Sequence, residues 1–343
     1  MDDRFLKACR KELVDTVPVW IMRQAGRYLP EYMEVRRKHA FLELCKTPEL
    51  AAQVTLQPVA RLGVDAAILF SDILIPVEAM GVPLEFHEGR GPVLGKGVRD
   101  RSAVKALRVP DPDPALGFVM EAIRLLRREL AGKVPLIGFS GLPFTLASYI
   151  VEGGKSRDLP RLRSLMKDDP KTFAELMDKL AATTIAYVDA QIQAGAQAIQ
   201  LFDTWAGRLE PDQYGAQVLP YTGRVAEAIR GRGVPVIHFT EDCEKLLPVL
   251  RQLPVDVLSI DWRVPLDRAA GIVGQKFVLQ GNLDPEALLK PASEVEAAAA
   301  EVLKRGRAAG GHIFNLGHGI LPKTDPETAR ALVEAVHRLG RKD

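Results

Sequence analysis

DPKTFAELMDKLAATTIAYVDAQIQAGAQAIQLF, residues 169–202, decides the fold. Asp169-Pro170 is a helix start signal, an amphipathic pattern follows it, and Gly195 is a stop signal. The short apolar run AIQLF (198–202) comes immediately after, and VPLIGF (134–139), a run of the same kind, lies upstream. Runs without polar alternation are the mark of strands buried on both faces, and strand–helix–strand alternation implies a parallel sheet.

The same unit repeats along the chain. Further runs are PVWIM (18–22), DAAILF (65–70), VPVIHF (234–239), VDVLSI (255–260), KFVLQG (276–281) and HIFNL (312–316). Helical patterns lie between most of them, such as PELAAQVTLQPVARLG (48–63) and PDQYGAQVLPYTGRVAEAIRGRG (211–233). Eight runs alternating with helices predict an α/β fold of one domain over residues 1–343, a (β/α)8 TIM barrel. Such barrels need about 250 residues. The extra length is assigned to an N-terminal extension and a long connection between the second and third strands. That connection contains GVPLEFHEGRGPVLGKGV (81–98), which reads as a Gly/Pro-rich hairpin. A doubly wound sheet would carry a glycine fingerprint after an early strand, and none occurs.

The 343 residues are 47% hydrophobic and 26% charged, the profile of a soluble globular protein. Lys+Arg total 46 against 44 Asp+Glu, so no global basic footprint points to nucleic acid and any anion recognition is local. The N-terminal MDDRFLKACRKELVD lacks the apolar core of a signal peptide, and no run approaches the ~20 residues of a membrane span. Cys9, Cys45 and Cys243 are far apart, with no CxxC, which suggests a reducing cytoplasm. Only two asparagines occur, Asn282 and Asn315.

Chemistry in this fold sits at the C-terminal ends of the strands. The residues just past each run are Arg23-Gln24, Ser71-Asp72, Ser140, Asp203-Thr204, Thr240, Asp261, Asn282 and Asn315 through His318. Strands end in polar residues anyway, because loops begin there. A polar group at every end is more informative than any single one. Arg23 and Arg27 follow an apolar run, with Gly26 between them and no acid until Glu31. They are either solvated surface residues or a carboxylate or phosphate clamp. Asp72, in ILFSDILIP, is either the N-cap of the next helix or a functional acid. His318, between two glycines in NLGHGILP, suits close backbone approach to a ligand or a satisfied structural role. Tyr149 in TLASYIVEGG can be helix packing or part of the ring.

Several chemistries are set aside. GRGPVLGKG (89–97) fails as a phosphate loop, because Arg90 stands where its first glycine should and Gly97 replaces the Ser/Thr. His238 and Cys243 are the nearest to a metal pair, and no second cysteine follows. No lysine ends a strand to form a Schiff base, and no GxSxG elbow appears.

Six stretches together resemble the uroporphyrinogen decarboxylase family. They are PVWIMRQAGRYLPEY (18–32), TPELAAQVTLQP (47–58), GVDAAILFSDILIP (63–76), FTLASYIVEGG (144–154), QGNLDP (280–285) and NLGHGILPKTDPE (315–327). The resemblance runs from about residue 4 to 340, and RQAGRYLPEY and FSDIL are its most specific motifs. It implies a cytoplasmic homodimeric barrel that removes carbon dioxide from the four acetates of uroporphyrinogen III, giving coproporphyrinogen III in haem and porphyrin biosynthesis, with neither metal nor organic cofactor. Carried over by motif, Arg23, Gln24, Ala25 and Arg27 line the substrate pocket. Asp72 binds the pyrrole nitrogens, and Tyr149, Thr204 and His318 complete the polar ring. The catalytic set on this basis is Asp72, Arg23, Arg27, Tyr149 and His318. Thr204 stands where the family often has serine and keeps the hydroxyl. HFTEDCEKLLP (238–248) lacks the glycines expected after the fifth strand, which leaves that loop without an assigned role. Two other readings compete. A corrinoid-dependent methyltransferase of the same wider superfamily would need zinc on a histidine and two cysteines. A non-catalytic tetrapyrrole-binding protein would keep the arginines without needing Asp72.

Overall fold

Seven of the eight apolar runs form strands of one curled parallel sheet. The computed structural model describes residues 3–87 and 91–341. The strands are β1 (Ala67–Ile68), β2 (Leu84–His87), β3 (Gly91–Leu94), β4 (Leu136–Gly141), β5 (Ala198–Phe202), β6 (Val236–Phe239), β7 (Val257–Ser259), β8 (Val278–Gln280) and β9 (His312–Ile313). The sheet order is β1-β4-β5-β6-β7-β8-β9, parallel throughout, and β2 and β3 form a separate antiparallel hairpin with Leu84 opposite Leu94. Residues 88–90, which include Arg90 of the rejected phosphate loop, lie outside the described residues.

The eighth run, 18–22, makes backbone bonds to both edges of the sheet. Phe314 N–H donates to Pro18 O (2.8 Å) and Trp20 N–H to Phe314 O (3.3 Å), while Asp65 N–H donates to Val19 O (2.8 Å). The buried Asp65 carboxylate fixes this seam. It accepts from Val19 N–H (2.6 Å) and pairs with Arg4 (2.6 Å) and His337 (2.7 Å), on the first and last described helices.

Alternate residues of a strand share a face. One apolar cluster gathers Ala66, Ile137, Ala198, Ile237, Val257, Val278 and Ile313 from the strand runs, together with Trp20 and Phe5. Two residues further along, Gln200, Ser259 and Gln280 form a polar layer. Gln280 Nε2 donates to Gln200 Oε1 (3.1 Å) and Ser259 Oγ (3.0 Å), and Trp20 Nε1–H donates to Gln280 Oε1 (2.9 Å). Buried amides satisfied in this way hold one register without charge. Two larger clusters lie between strands and helices.

The helix read at 169–196 runs Pro170–Ala194, capped by the Asp169 carboxylate on Thr172 N–H (3.1 Å) and by left-handed Gly195. The pattern at 211–233 divides into Pro211–Gln217 and Leu219–Arg230, because Pro220 lacks an N–H and Val218 leaves helical geometry. No helix among the described residues is long and apolar enough to cross a membrane.

Candidate active site

Arg23 follows the 18–22 segment in a left-handed conformation (φ 64°). An arginine at positive φ costs on the order of 1 kcal/mol, so something fixes it there. The fixing groups are its neighbours. Gln24 is fully buried, its Oε1 accepting from Ile21 N–H (3.1 Å) and its Nε2 donating to Ala66 O (3.1 Å). Asn315 Oδ1 accepts from Met22 N–H (2.9 Å). Tyr28 Oη donates to Gln24 O (2.8 Å), completing the turn. The Arg23 side chain then passes over Gly319, where a Cβ would collide with it. Arg23 and Arg27 are exposed, and among the described residues neither makes a hydrogen bond or ion pair within the chain.

Asp72 ends the loop after β1. Leu74 N–H donates to its Oδ1 (2.9 Å), three residues ahead of the helix Ile75–Ala79. Asp72 is not the N-cap of that helix, a position Leu74 holds without a side-chain cap; its Oδ1 makes a local turn instead, and among the described residues Oδ2 has no protein donor. Desolvation raises the carboxyl from 3.8 to about 6, against the opposing pull of Arg23. Tyr149, on the helix Pro143–Glu152, packs edge-on against Trp205 (centroids 6.2 Å). Desolvation raises its phenol, with the Trp205 indole and Arg23 opposing and Asp72 and Glu241 adding to the rise. Desolvation lowers His318 to about 4, with Arg23, Arg263 and Lys155 acting the same way and Asp261 opposing them. The imidazole is neutral at physiological pH.

Arg23, Asp72, Tyr149 and His318 thus come together, each within electrostatic reach of Arg23. The remaining sequence candidates sit around them. Arg27 is in electrostatic reach of the Tyr32 phenol. Ala25 packs half-buried on the core. Thr204 is half-buried after β5, between Asp203 and Trp205. Gln24 is turned inward, its amide satisfied by backbone.

The glycines around His318 have a different purpose from the close ligand approach that sequence suggested. A Cβ at Gly317 would strike the backbone of Trp262, and one at Gly319 would strike Arg23. Both asparagines are brackets: Asn315 holds Met22 and Leu316, and Asn282 Nδ2 donates to Asp261 O (2.8 Å) and Val264 O (2.6 Å). Ser140 lies inside β4, its Oγ donating to Gly141 O (3.0 Å).

Sequence reading missed three groups. Thr145 Oγ1 donates to Asp203 (3.2 Å) and accepts from Trp205 N–H (3.2 Å), which seats the indole beneath Tyr149; burial raises Asp203 itself to about 7. Phe139, Phe202, Phe239, His318 and Trp262 form a chain of ring contacts, each 5.8–6.0 Å between centroids. Arg263 stacks on Trp262. Their signal is DWR (261–263), polar and aromatic residues directly after a buried run. His238 and Cys243 are both buried, and among the described residues no group of three or more His, Cys, Asp or Glu could hold a metal.

The family model "Uroporphyrinogen decarboxylase (URO-D)" matches residues 1–339. The uroporphyrinogen decarboxylase of Trichlorobacter lovleyi is 52% identical over 342 residues, covering 100% of both chains. That of Carboxydothermus hydrogenoformans is 53% identical over 340 residues, covering 99% of this chain and 97% of its own. Among solved structures, a methyltransferase from Methanosarcina mazei superposes with a TM-score of 0.84 at 23% identity, covering 98% of each chain, and shares the fold. A B12-independent methionine synthase from a Shewanella species gives 0.58 at 13% identity, over 85% of this chain and 88% of its own. On the full-length family match and these relatives, the chain belongs to the uroporphyrinogen decarboxylase family.

Proposed function

We infer that this chain removes carbon dioxide from the four acetate side chains of uroporphyrinogen III, giving coproporphyrinogen III. The observation that carries the reading is the meeting of a desolvated carboxylate, Asp72, with an arginine, Arg23; among the described residues one Asp72 oxygen has no protein donor and Arg23 forms no ion pair.

Loss of carbon dioxide leaves an electron pair that needs a sink. Protonation of the pyrrole α-carbon next to the carbon bearing the acetate makes the ring a conjugated iminium cation. The C–C bond to the carboxylate then breaks, its electrons form an exocyclic double bond as the iminium is neutralised, and carbon dioxide leaves. A proton added to the methylene and the proton lost from the ring carbon give the methyl-bearing pyrrole. The substrate itself supplies the sink, so the reaction calls for no metal or organic cofactor. Asp72 accepts hydrogen bonds from the pyrrole N–H groups and stabilises the cation as it forms. Preorganised groups of this kind are worth roughly 3 kcal/mol each. Arg23 and Arg27 neutralise and orient the substrate's carboxylates. Tyr149, Thr204 and His318 supply uncharged polar contacts. Ala25 adds apolar contact, and Gln24 acts by fixing the Arg23 turn.

On the same reading the whole chain is one domain, a closed (β/α)8 barrel with residues 18–22 as its first strand, preceded by an N-terminal extension and carrying a long hairpin-bearing connection. The seam bonds of Pro18, Val19 and Trp20 support this. The family points to a homodimer. Three buried free cysteines accord with a cytoplasmic setting, away from membrane and nucleic acid.

Anaerobic incubation with uroporphyrinogen III and no added cofactor tests the assignment. Seven-, six-, five- and four-carboxylate products are expected in succession. Recovery of unchanged octacarboxylate alone would refute it.

A further inference from the structure

The loop that sequence left without a role, 238–248, faces the site. Asp242 takes the left-handed conformation (φ 56°) in a loop that carries no glycine. The missing glycine stands on the neighbouring loop as Gly207, where a Cβ would strike Glu241 O. This close approach seats Glu241 within electrostatic reach of Tyr149. The Glu241 Oε1 then accepts from Arg263 Nη2 (3.3 Å).

Arg263 is itself carefully supported. Its guanidinium stacks on Trp262, 3.9 Å from the ring centroid. Its backbone N–H donates to Asp261 Oδ1 (2.9 Å), and its Nη1 reaches the same oxygen (3.3 Å). Asp261 Oδ2 is occupied by Cys243 N–H (2.8 Å), and Asn282 pins the turn at Asp261 and Val264. Gly317 receives Trp262 and Gly319 receives Arg23, so the two arginine-bearing segments flank His318, and both cations are in electrostatic reach of it. Of the two acids on Arg263, Asp261 is fully buried and held by backbone. Glu241 makes one long bond on a guanidinium that is 40% exposed. Such a pair is weak and exchangeable.

We propose that Arg263 is a second carboxylate-binding arm of this site, and that Glu241 occupies it until a carboxylate of the substrate takes its place. The proposal rests on the reading that the substrate is a polycarboxylate tetrapyrrole. It assigns Arg23 and Arg263 to different peripheral carboxylates of one macrocycle. Asp261 holds the guanidinium in place during the exchange, and the Trp262 face keeps it planar to the incoming group.

The test is anaerobic steady-state kinetics with uroporphyrinogen III on wild type, Arg263→Gln, Arg263→Lys, Glu241→Gln and the Glu241→Gln/Arg263→Gln double variant, with thermal melts on each. Arg263→Gln is expected to raise KM about tenfold, with kcat moved less than KM. Arg263→Lys recovers part of that loss, because it keeps the charge without the fork. Glu241→Gln lowers KM by about two- to threefold, and this gain disappears in the double variant. A purely structural staple would lower the melting temperature of Arg263→Gln and Glu241→Gln and leave KM in place, and that outcome overturns the proposal. So does a KM lowered by Glu241→Gln equally with and without Arg263. A wild-type protein that does not turn over the substrate counts against the activity; normal wild-type turnover with an unmoved KM in Arg263→Gln counts against this arm alone.

Discussion

Asp72 is ionised only above about pH 6, because the surrounding protein withholds water from its charged form. If the carboxylate stabilises a cationic ring, kcat/KM falls as pH drops through about 6, with a limiting slope of one. Asp72→Asn removes that limb, and a pH–rate profile of the two proteins checks it. The same shift has a cost in stability. A carboxyl raised from 3.8 to about 6 binds its proton more tightly folded than unfolded, so its contribution falls as pH rises from about 4 to 6 and stays lost above. Asp72→Asn is therefore expected to lose roughly a hundredfold or more in kcat while gaining ~1–2 kcal/mol of stability at pH 7.5, read by urea titration. Arg23→Lys keeps the same positive φ and so the same backbone strain, which isolates the guanidinium fork. Its KM is expected to rise by about tenfold at unchanged melting temperature. The identities of Arg23 and Asp72 were legible from sequence because each breaks an apolar run. The role of Gln24 was not, because its partner Ala66 O lies 42 residues away.

Strands are shorter than the runs that encode them for a physical reason. Hydrophobic run length reports burial, whereas strand length reports paired backbone. AIQLF is strand along its whole length, while in DAAILF only Ala67–Ile68 is strand, although Asp65 and Leu69 each donate one more backbone bond to a neighbouring segment and Ala66, Leu69 and Phe70 are buried too. The NLGHG segment shows the limit of local reading. Its glycines looked like room for a ligand, and they are room for Trp262 and Arg23, residues brought there only by the fold. The two glycines should respond differently. At Gly317 the obstacle is the Trp262 backbone, so Gly317→Ala is expected to cost about 2 kcal/mol or more in thermal unfolding and to disturb the site. At Gly319 the obstacle is the flexible Arg23 stem. Gly319→Ala should cost less than ~1 kcal/mol while raising KM, because the stem moves and carries the guanidinium away.

At the level of the whole molecule the parallel sheet and its helical connections were readable from periodicity, whereas the way its edges meet was not. That meeting depends on Asp65, which sequence places inside an ordinary strand run. Its carboxylate serves Arg4, Val19 N–H and His337 together. Asp65→Ala leaves the buried Val19 N–H without its acceptor and removes one partner each from Arg4, which keeps Asp15, and His337. A loss of about 3 kcal/mol is expected in urea titration, with activity retained in the fraction that stays folded.

The seam joins residues far apart in the order of synthesis. Pro18 and Trp20 bond to Phe314, and Val17 N–H donates to Gly340 O (3.1 Å). A ribosome making this chain exposes Pro18 and Trp20 long before Phe314 exists, although Val19 finds Asp65 early. The nascent sheet therefore waits with one side of this segment unmatched until Phe314 is made. Contacts of such long sequence separation are slow to form, so the interval in which the apolar 18–22 segment is available to chaperones, or to another nascent copy, is set by elongation rate as much as by the energetics of the finished fold.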